Sequence, residues 1–116
     1  MHGEDVINGL VSMGTAEQFD DAAKFLNVLG NKIRLEILFH LLDGEKSVGE
    51  ICSLIGLKQS ATSQHLAKLK SIGILRYRRE TQFIYYSVNM HRGHEIFYFL
   101  NQIRMFRFNL YKNTHY

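Results

Sequence analysis

A serine and a histidine close together in the sequence, Ser63 and His65, raise the question of hydrolytic chemistry. A serine nucleophile needs a base within hydrogen-bond reach and a third group that orients the base. Residues two apart on a helix do not face one another, and no carboxylate in the same segment could orient the imidazole. We therefore expect no enzyme activity, and we interpret His65 as an edge residue that donates to backbone or phosphate.

The residues that could bind a metal or carry out thiol chemistry are His91, His94, Glu95 and Cys52. The first three have spacings that share one helix face, but they lie at the expected start of a helix, where exposed polar residues are common. Cys52 is the only cysteine, so an intrachain disulfide is impossible, and its place on an apolar stripe suggests a small inert hydrophobe. We predict no cofactor and no metal site. A metal-responsive or redox-responsive regulator using these residues is kept as an alternative.

The polar side chains between residues 59 and 68 have a different character. Val48, Ile51 and Ile55 recur at helical spacing, Gly56 interrupts the pattern, and a second helical run follows, so residues 46–71 are predicted to form a helix-turn-helix. Thr62, Leu66 and Leu69 mark the inner face of the second helix. Its outer face carries short polar side chains suited to base edges and phosphates, with His65 at the inner edge. The candidate contacts are Gln59, Ser60, Ser63, Gln64, His65 and Lys68.

A basic β-hairpin is predicted directly after this helix, over residues 74–88. Gly73 stands where a helix end favours a left-handed residue, and Ile74 supplies the apolar contact that accompanies such an end. Two β-prone runs then flank the polar link at residues 80–82. Arg78, Arg79 and Gln82 are the candidate phosphate contacts of the hairpin.

The distribution of charge agrees with this placement. Residues 1–57 hold four Lys or Arg and nine Asp or Glu, whereas residues 58–116 hold ten and two, which together give the net charge of +3. Clustered positive charge beside a polar helix indicates salt-dependent binding to nucleic acid. At 116 residues, with no secretory signal and no candidate membrane span, we expect one cytoplasmic domain, loosely ordered over residues 1–14.

The last predicted helix, residues 93–112, is apolar around most of its circumference. One small domain cannot cover such a helix on all sides, so a second copy of the chain is the simplest partner. A two-fold dimer would place two recognition helices about 34 Å apart, which matches a palindromic operator on double-stranded DNA. A core within a single domain is the alternative. The candidate interface residues, from the first and last helices, are Phe19, Ala23, Ile96, Phe99, Leu100, Ile103, Phe106 and Leu110.

From about Phe25 to Val88 the chain resembles the ArsR/SmtB family of bacterial winged-helix repressors. The resemblance is carried by the segments LGNKIRLEIL, SVGEIC, QSATSQHLAKLKSIGIL and RRETQFIYYSV. It implies a mainly α-helical winged helix-turn-helix with a small β-hairpin. It further implies a homodimer formed through the first and last helices, acting as a DNA-binding repressor. The wing and the SATSQHLAKLK run look closest to the branch of hemolysin-activator, nodulation and biofilm regulators.

The sensing sites of the family do not carry over to this chain. Ser47, Val48 and Gly49 occupy the positions of the Cys-Val-Cys that binds soft metals in arsenic and cadmium sensors. Met90, Arg92, Ile103 and Phe106 occupy those of the zinc and nickel ligands, and the cysteine pair of the redox-sensing branch is missing. The signal is therefore left open, and a small-molecule inducer is one alternative. A winged-helix interaction module that has lost DNA binding is another.

Overall fold

The computed structural model describes residues 14–103, and the predictions for residues 1–13, for Phe106, for Leu110 and for the end of the last helix lie outside them. Within this range the chain forms five helices and a small antiparallel sheet. The helices are α1 (Ala16–Leu29), α2 (Lys32–His40), α3 (Val48–Ile55), α4 (Gln59–Ser71) and α5 (Met90–Gln102). The strands are β1 (Lys46–Ser47), β2 (Leu75–Glu80) and β3 (Phe83–Val88).

Three of these helices have an N-terminus that is capped by a side chain. Thr15 and Gln18 form a capping box at α1, and Ser47 and Glu50 form another at α3. Asn31 caps α2, because its Oδ1 accepts from the backbone N–H of Arg34 at 3.1 Å. The N-cap residue of α4, Lys58, makes no side-chain hydrogen bond of this kind. The first N–H groups of α4 are therefore available for another acceptor.

The helix-turn-helix consists of α3 and α4, and the core lies beneath it. Ile37 and Leu38 of α2, Ile51 of α3, and Leu66 and Leu69 of α4 are completely buried. Gly56 ends α3 in the left-handed conformation, with φ of 72°. This end lets the chain turn sharply within three residues before α4 begins, which brings the two helices together over α2.

The end of α4 is fixed by a Schellman motif. Gly73 has φ of 79°, its N–H donates to the Lys70 carbonyl, and the Ile74 N–H donates to the Leu69 carbonyl. Ile74 is fully buried. Two hydrogen bonds then tie the start of α5 to this point: the Asn89 N–H donates to the Ile74 carbonyl at 2.8 Å, and Asn89 Nδ2 donates to the Gly73 carbonyl at 3.1 Å. The end of α4, the base of the hairpin and the start of α5 therefore meet at one junction.

The hairpin β2–β3 pairs in register from Leu75 opposite Val88 to Glu80 opposite Phe83. Thr81 and Gln82 form the turn, and Thr81 has a positive φ of 54°. The sequence predicted the hairpin but not the third strand: β1 pairs with β3, so the strand order is β1-β3-β2. A two-residue strand carries too short an alternation to be recognised in sequence.

The structure differs from prediction at the last helix. α5 begins at Met90, with Asn89 at its N-cap, which is three residues before the predicted start at residue 93. Leu100, predicted to lie in a dimer interface, is only 6% exposed and belongs to the core of its own chain together with Phe97. Phe99 and Ile103 face away from that core. The side of α5 that carries Leu100 is therefore covered by the same chain, and the exposed side carries Phe99 and Ile103.

Candidate nucleic-acid interface

The two faces of α4 are chemically opposite. Thr62, Leu66 and Leu69 have no exposed surface, whereas Gln59, Ser60, Ser63, Gln64 and Lys68 are all exposed. The Thr62 hydroxyl donates to the Lys58 carbonyl at 2.9 Å, so this buried polar group is satisfied. The exposed face consequently offers amides, hydroxyls and an ammonium on a rigid helix, which is the side-chain chemistry that reads base edges.

His65 lies between these two faces and is only partly exposed. Its Nδ1 accepts a hydrogen bond from Arg34 Nε of α2 at 3.3 Å. Its expected role as a donor to backbone or phosphate stays a prediction, to which the structure adds that one ring nitrogen accepts. Burial, followed by the charges of Arg34 and Lys68, holds the pKa of His65 below its ordinary value.

The side chains of the hairpin alternate between the two faces of the sheet. Tyr77 lies on the face toward α4, where the Lys70 ammonium stands 3.9 Å from its ring centroid. Arg79 shares this face by alternation, is exposed, and forms no ion pair with the residues from 14 to 103. Gln82 is exposed in the turn beyond it. Arg79 and Gln82 thus extend the polar surface of α4 toward the tip of the hairpin.

Arg78 occupies the opposite face and is already engaged. Its guanidinium pairs with Glu45 at 2.7 Å and with Glu80, and it stacks on Tyr85 with 4.5 Å to the ring centroid. Glu45 and Glu80 raise the pKa of Arg78 above its usual range. Although half of its side chain is exposed, Arg78 is not positioned like Arg79. The sequence grouped the two as equivalent, and strand alternation separates them.

Four residues of this surface were not predicted from sequence as participants: Arg34, Glu45, Lys58 and Lys70. The partners of Arg34 and Glu45 lie 31 and 33 residues away along the chain, so no local pattern could indicate the pairs. Lys70 could have been linked to Tyr77 only once the turn at Gly73 was known. Arg34 of α2 and Glu45 of the turn before β1 therefore contact residues of this surface and help to fix their positions.

Metal-ligating clusters and membrane-spanning helices are both absent from the described residues. Among residues 14–103 no three His, Cys, Asp or Glu side chains are grouped so as to hold a metal ion, and His91 and His94 are exposed on the first turn of α5. Cys52 is partly buried and unpaired. In the same part of the chain no helix has the length and apolar character needed to span a bilayer.

Comparison with known proteins agrees with this geometry. The sequence-family model described as bacterial regulatory protein, arsR family, matches residues 31–77 of this chain, which include α3, α4 and the start of the hairpin. The crystal structure of NolR from Sinorhizobium fredii has a TM-score of 0.70 at 39% identity and covers 77% of this chain and 89% of that one. The chain belongs to the arsR family of bacterial regulatory proteins. The winged-helix fold expected from the resemblance is confirmed.

Two further proteins are similar to this chain. The transcriptional activator HlyU of Vibrio cholerae is 46% identical over 68 residues, which are 59% of this chain and 63% of HlyU. The chain spans about three-fifths of the length of the first curated relatives that it matches. A homodimeric winged helix-turn-helix DNA-binding domain from Mycobacterium bovis has a TM-score of 0.69 at 29% identity and covers 80% of this chain and 86% of that domain. The predicted branch, which includes hemolysin and nodulation regulators, is confirmed.

Proposed function

We propose that this protein is a transcriptional regulator that binds double-stranded DNA in a sequence-specific manner, as a homodimer on a palindromic operator, and acts as a repressor. The observation that carries the proposal is the two-sided construction of α4. Complete burial of Thr62, Leu66 and Leu69 fixes the helix, and this leaves Gln59, Ser63 and Gln64 exposed on one rigid surface. A rigid helix with a polar outer face suits insertion into a major groove.

Contacts to the DNA backbone are assigned to the cations around this helix. Lys58 and the uncapped N–H groups at the start of α4 suit one phosphate, since a helix N-terminus favours an anion. Lys68 and Arg79 suit others on either side of the groove. Arg78, which was predicted as a phosphate contact, must first give up Glu45 and Glu80, so Arg79 and Gln82 take the leading role in the wing.

The arsR family and the named relatives support regulation rather than enzyme activity. The homodimer is supported by the Mycobacterium bovis domain and by the uncovered apolar side chains of α1 and α5 in this chain. We propose cytoplasmic localisation, which is where a regulator meets its operator.

A fluorescence-anisotropy titration with the duplex upstream of the protein's own gene tests this function. Affinity should fall steeply with salt and exceed the affinity for an unrelated duplex of equal length, because phosphate contacts release counterions and base contacts specify sequence. In Arg79→Ala the slope of log K against log salt should become shallower by about 1, the value for one lost phosphate contact. Arg78→Ala is the matched control.

Arg78→Ala removes the same charge one residue earlier but from the opposite face of the strand, where the guanidinium is paired with Glu45 and Glu80, so its salt slope should stay closer to that of the wild type. Equal loss of slope in both variants would contradict the assignment of the two arginines. Binding that is weak, insensitive to salt and equal for both duplexes would contradict DNA recognition altogether. It would favour a protein-interaction module, for which the exposed aromatic side chains of α5, Tyr98 and Phe99, offer contacts.

A further inference from the structure

Arg34 connects three parts of the chain from a buried position. Arg34 is only 8% exposed. Its Nη1 donates to the Val28 carbonyl in the last turn of α1 at 2.9 Å. Its Nε donates to His65 Nδ1 of α4 at 3.3 Å. The last turn of α1 contains no basic residue of its own, so Arg34 supplies the cation that suits a helix C-terminus. A lysine could not reach both acceptors, because only the planar guanidinium has donors fixed in two directions.

The contact between Arg34 and His65 determines where the histidine carries its proton. A guanidinium has donors only, so the nitrogen that faces it must hold a lone pair. Nδ1 of His65 is therefore unprotonated, and the single proton of the neutral ring lies on Nε2. Burial, and then the charges of Arg34 in α2 and Lys68 one turn further along α4, lower the pKa of His65 and so favour the neutral ring over the imidazolium.

Resting on the proposed DNA-binding function, we infer that Arg34 is a positioning residue for DNA recognition. It holds His65 as the neutral tautomer whose Nε2–H donates to a phosphate oxygen at the inner edge of α4. The two ring nitrogens diverge, so when Nδ1 is directed at Arg34 the Nε2–H is directed away from α2, and the ring is partly exposed. The recognition surface thereby contains one neutral donor of fixed direction next to the flexible ammonium of Lys68.

The tautomer can be measured without DNA. Long-range ¹H–¹⁵N spectra of the uniformly labelled full-length protein, with His65 assigned by its loss in a substituted variant, should show a protonated Nε2 and an unprotonated Nδ1 at neutral pH. In Arg34→Lys the same ring should show mixed tautomers, because the fixed donor is lost. A protonated Nδ1 in the wild type would overturn the inference, and so would an unchanged tautomer in Arg34→Lys.

Two substitutions of His65 separate its contacts. In His65→Asn the side-chain oxygen can still accept from Arg34 but no donor remains at the position of Nε2. In His65→Gln the amide nitrogen reaches that position, but the acceptor for Arg34 is lost. We expect His65→Asn to keep the wild-type melting temperature and to bind the promoter duplex about fivefold more weakly, the size of one net hydrogen bond. His65→Gln should bind more tightly than His65→Asn but more weakly than the wild type, since its donor restores the contact but is no longer held by Arg34.

Arg34→Gln, which removes the charge that Arg34→Lys keeps, completes the test by separating positioning from direct contact. A positioning residue predicts weaker binding with an unchanged salt slope, whereas a residue that touches phosphate predicts a slope shallower by about 1. The shallower slope would overturn the inference, as would His65→Asn binding as tightly as the wild type. If the wild type itself bound no duplex while the spectra showed the Nε2 proton, the proposed DNA-binding function would have failed instead.

Discussion

Two adjacent arginines in β2 show that residue type alone does not determine which contacts a side chain makes. Arg78 and Arg79 have the same charge and reach, yet one stacks on Tyr85 between two carboxylates and the other is exposed on the face shared with Tyr77. Alternation along a strand makes this difference unavoidable. The sequence could establish that the wing is basic, but Glu45 lies 33 residues before Arg78, so its pairing could not be read locally.

Stability should depend on pH through His65. Its folded-state pKa lies below the ordinary value of 6.5, first because of burial and then because of Arg34 and Lys68. The unfolded chain therefore takes up a proton more readily than the folded one, and stability is lost as the pH falls below 6.5 toward the folded-state pKa. We expect the melting temperature of the wild type to drop more between about pH 7.5 and pH 5.5 than that of His65→Gln.

Differential scanning fluorimetry of the two proteins in matched buffers measures this difference. The remaining five histidines are common to both, so their titration cancels in the comparison. Equal drops in the two proteins would show that protonation of His65 is not linked to folding.

At the scale of the elements, the helix-turn-helix and the hairpin could be predicted because each has a local signature. Helical spacing of Thr62, Leu66 and Leu69 marked the inner face of α4, and Gly73 marked its end; both agree with the structure. The start of α5 was placed too late, since its N-cap, Asn89, makes no side-chain capping bond and instead donates to Gly73. Hydrogen bonds between residues 15 or 16 positions apart leave no local pattern in the sequence.

Two glycines in helices should respond oppositely to alanine. A Cβ at Gly93 of α5 would stand 2.9 Å from Val88 Cγ1 and 3.2 Å from the Phe97 ring, so Gly93→Ala should destabilise the fold by about 1–3 kcal/mol through overpacking. A Cβ at Gly49 of α3 would meet only Ser47 Oγ, at 3.9 Å. Gly49→Ala should therefore stabilise the protein by about 0.5–1 kcal/mol through higher helix propensity.

Urea denaturation followed by circular dichroism gives both free energies of unfolding. The pair serves as its own control, because the chemical change is identical and only the surroundings differ. A stabilising Gly93→Ala would mean that the contact between β3 and the first turn of α5 is looser than the structure describes.

At the scale of the whole molecule, apolar side chains remain uncovered on the first and last helices. Phe19 is 67% exposed on α1, and Phe99 and Ile103 are each 57% exposed on α5. Large apolar side chains exposed on a small domain are candidates for an association surface. A self-complementary surface produces a two-fold dimer, which is the arrangement proposed above.

Replacing one of these residues should dissociate the proposed dimer. Phe99→Asp introduces a charge that an apolar interface cannot solvate, so sedimentation velocity at micromolar concentration should show the mass of a single chain. Promoter affinity should fall at least about tenfold with it, because each half-site is then bound independently. Phe83→Asp, which alters a similarly exposed phenylalanine at the turn of the hairpin, should keep the wild-type mass. A monomeric wild type would contradict this assembly.

The junction at Asn89 has a consequence for how any signal could act on such an assembly. Because this one residue anchors the start of α5 to the carbonyls of Gly73 and Ile74, the end of α4 cannot shift without carrying both the hairpin and α5 with it. We therefore expect the end of α4, the hairpin and the start of α5 of each subunit to move together as one block. Release from an operator would then require the blocks to rotate relative to one another, changing their spacing, rather than the bending of either one.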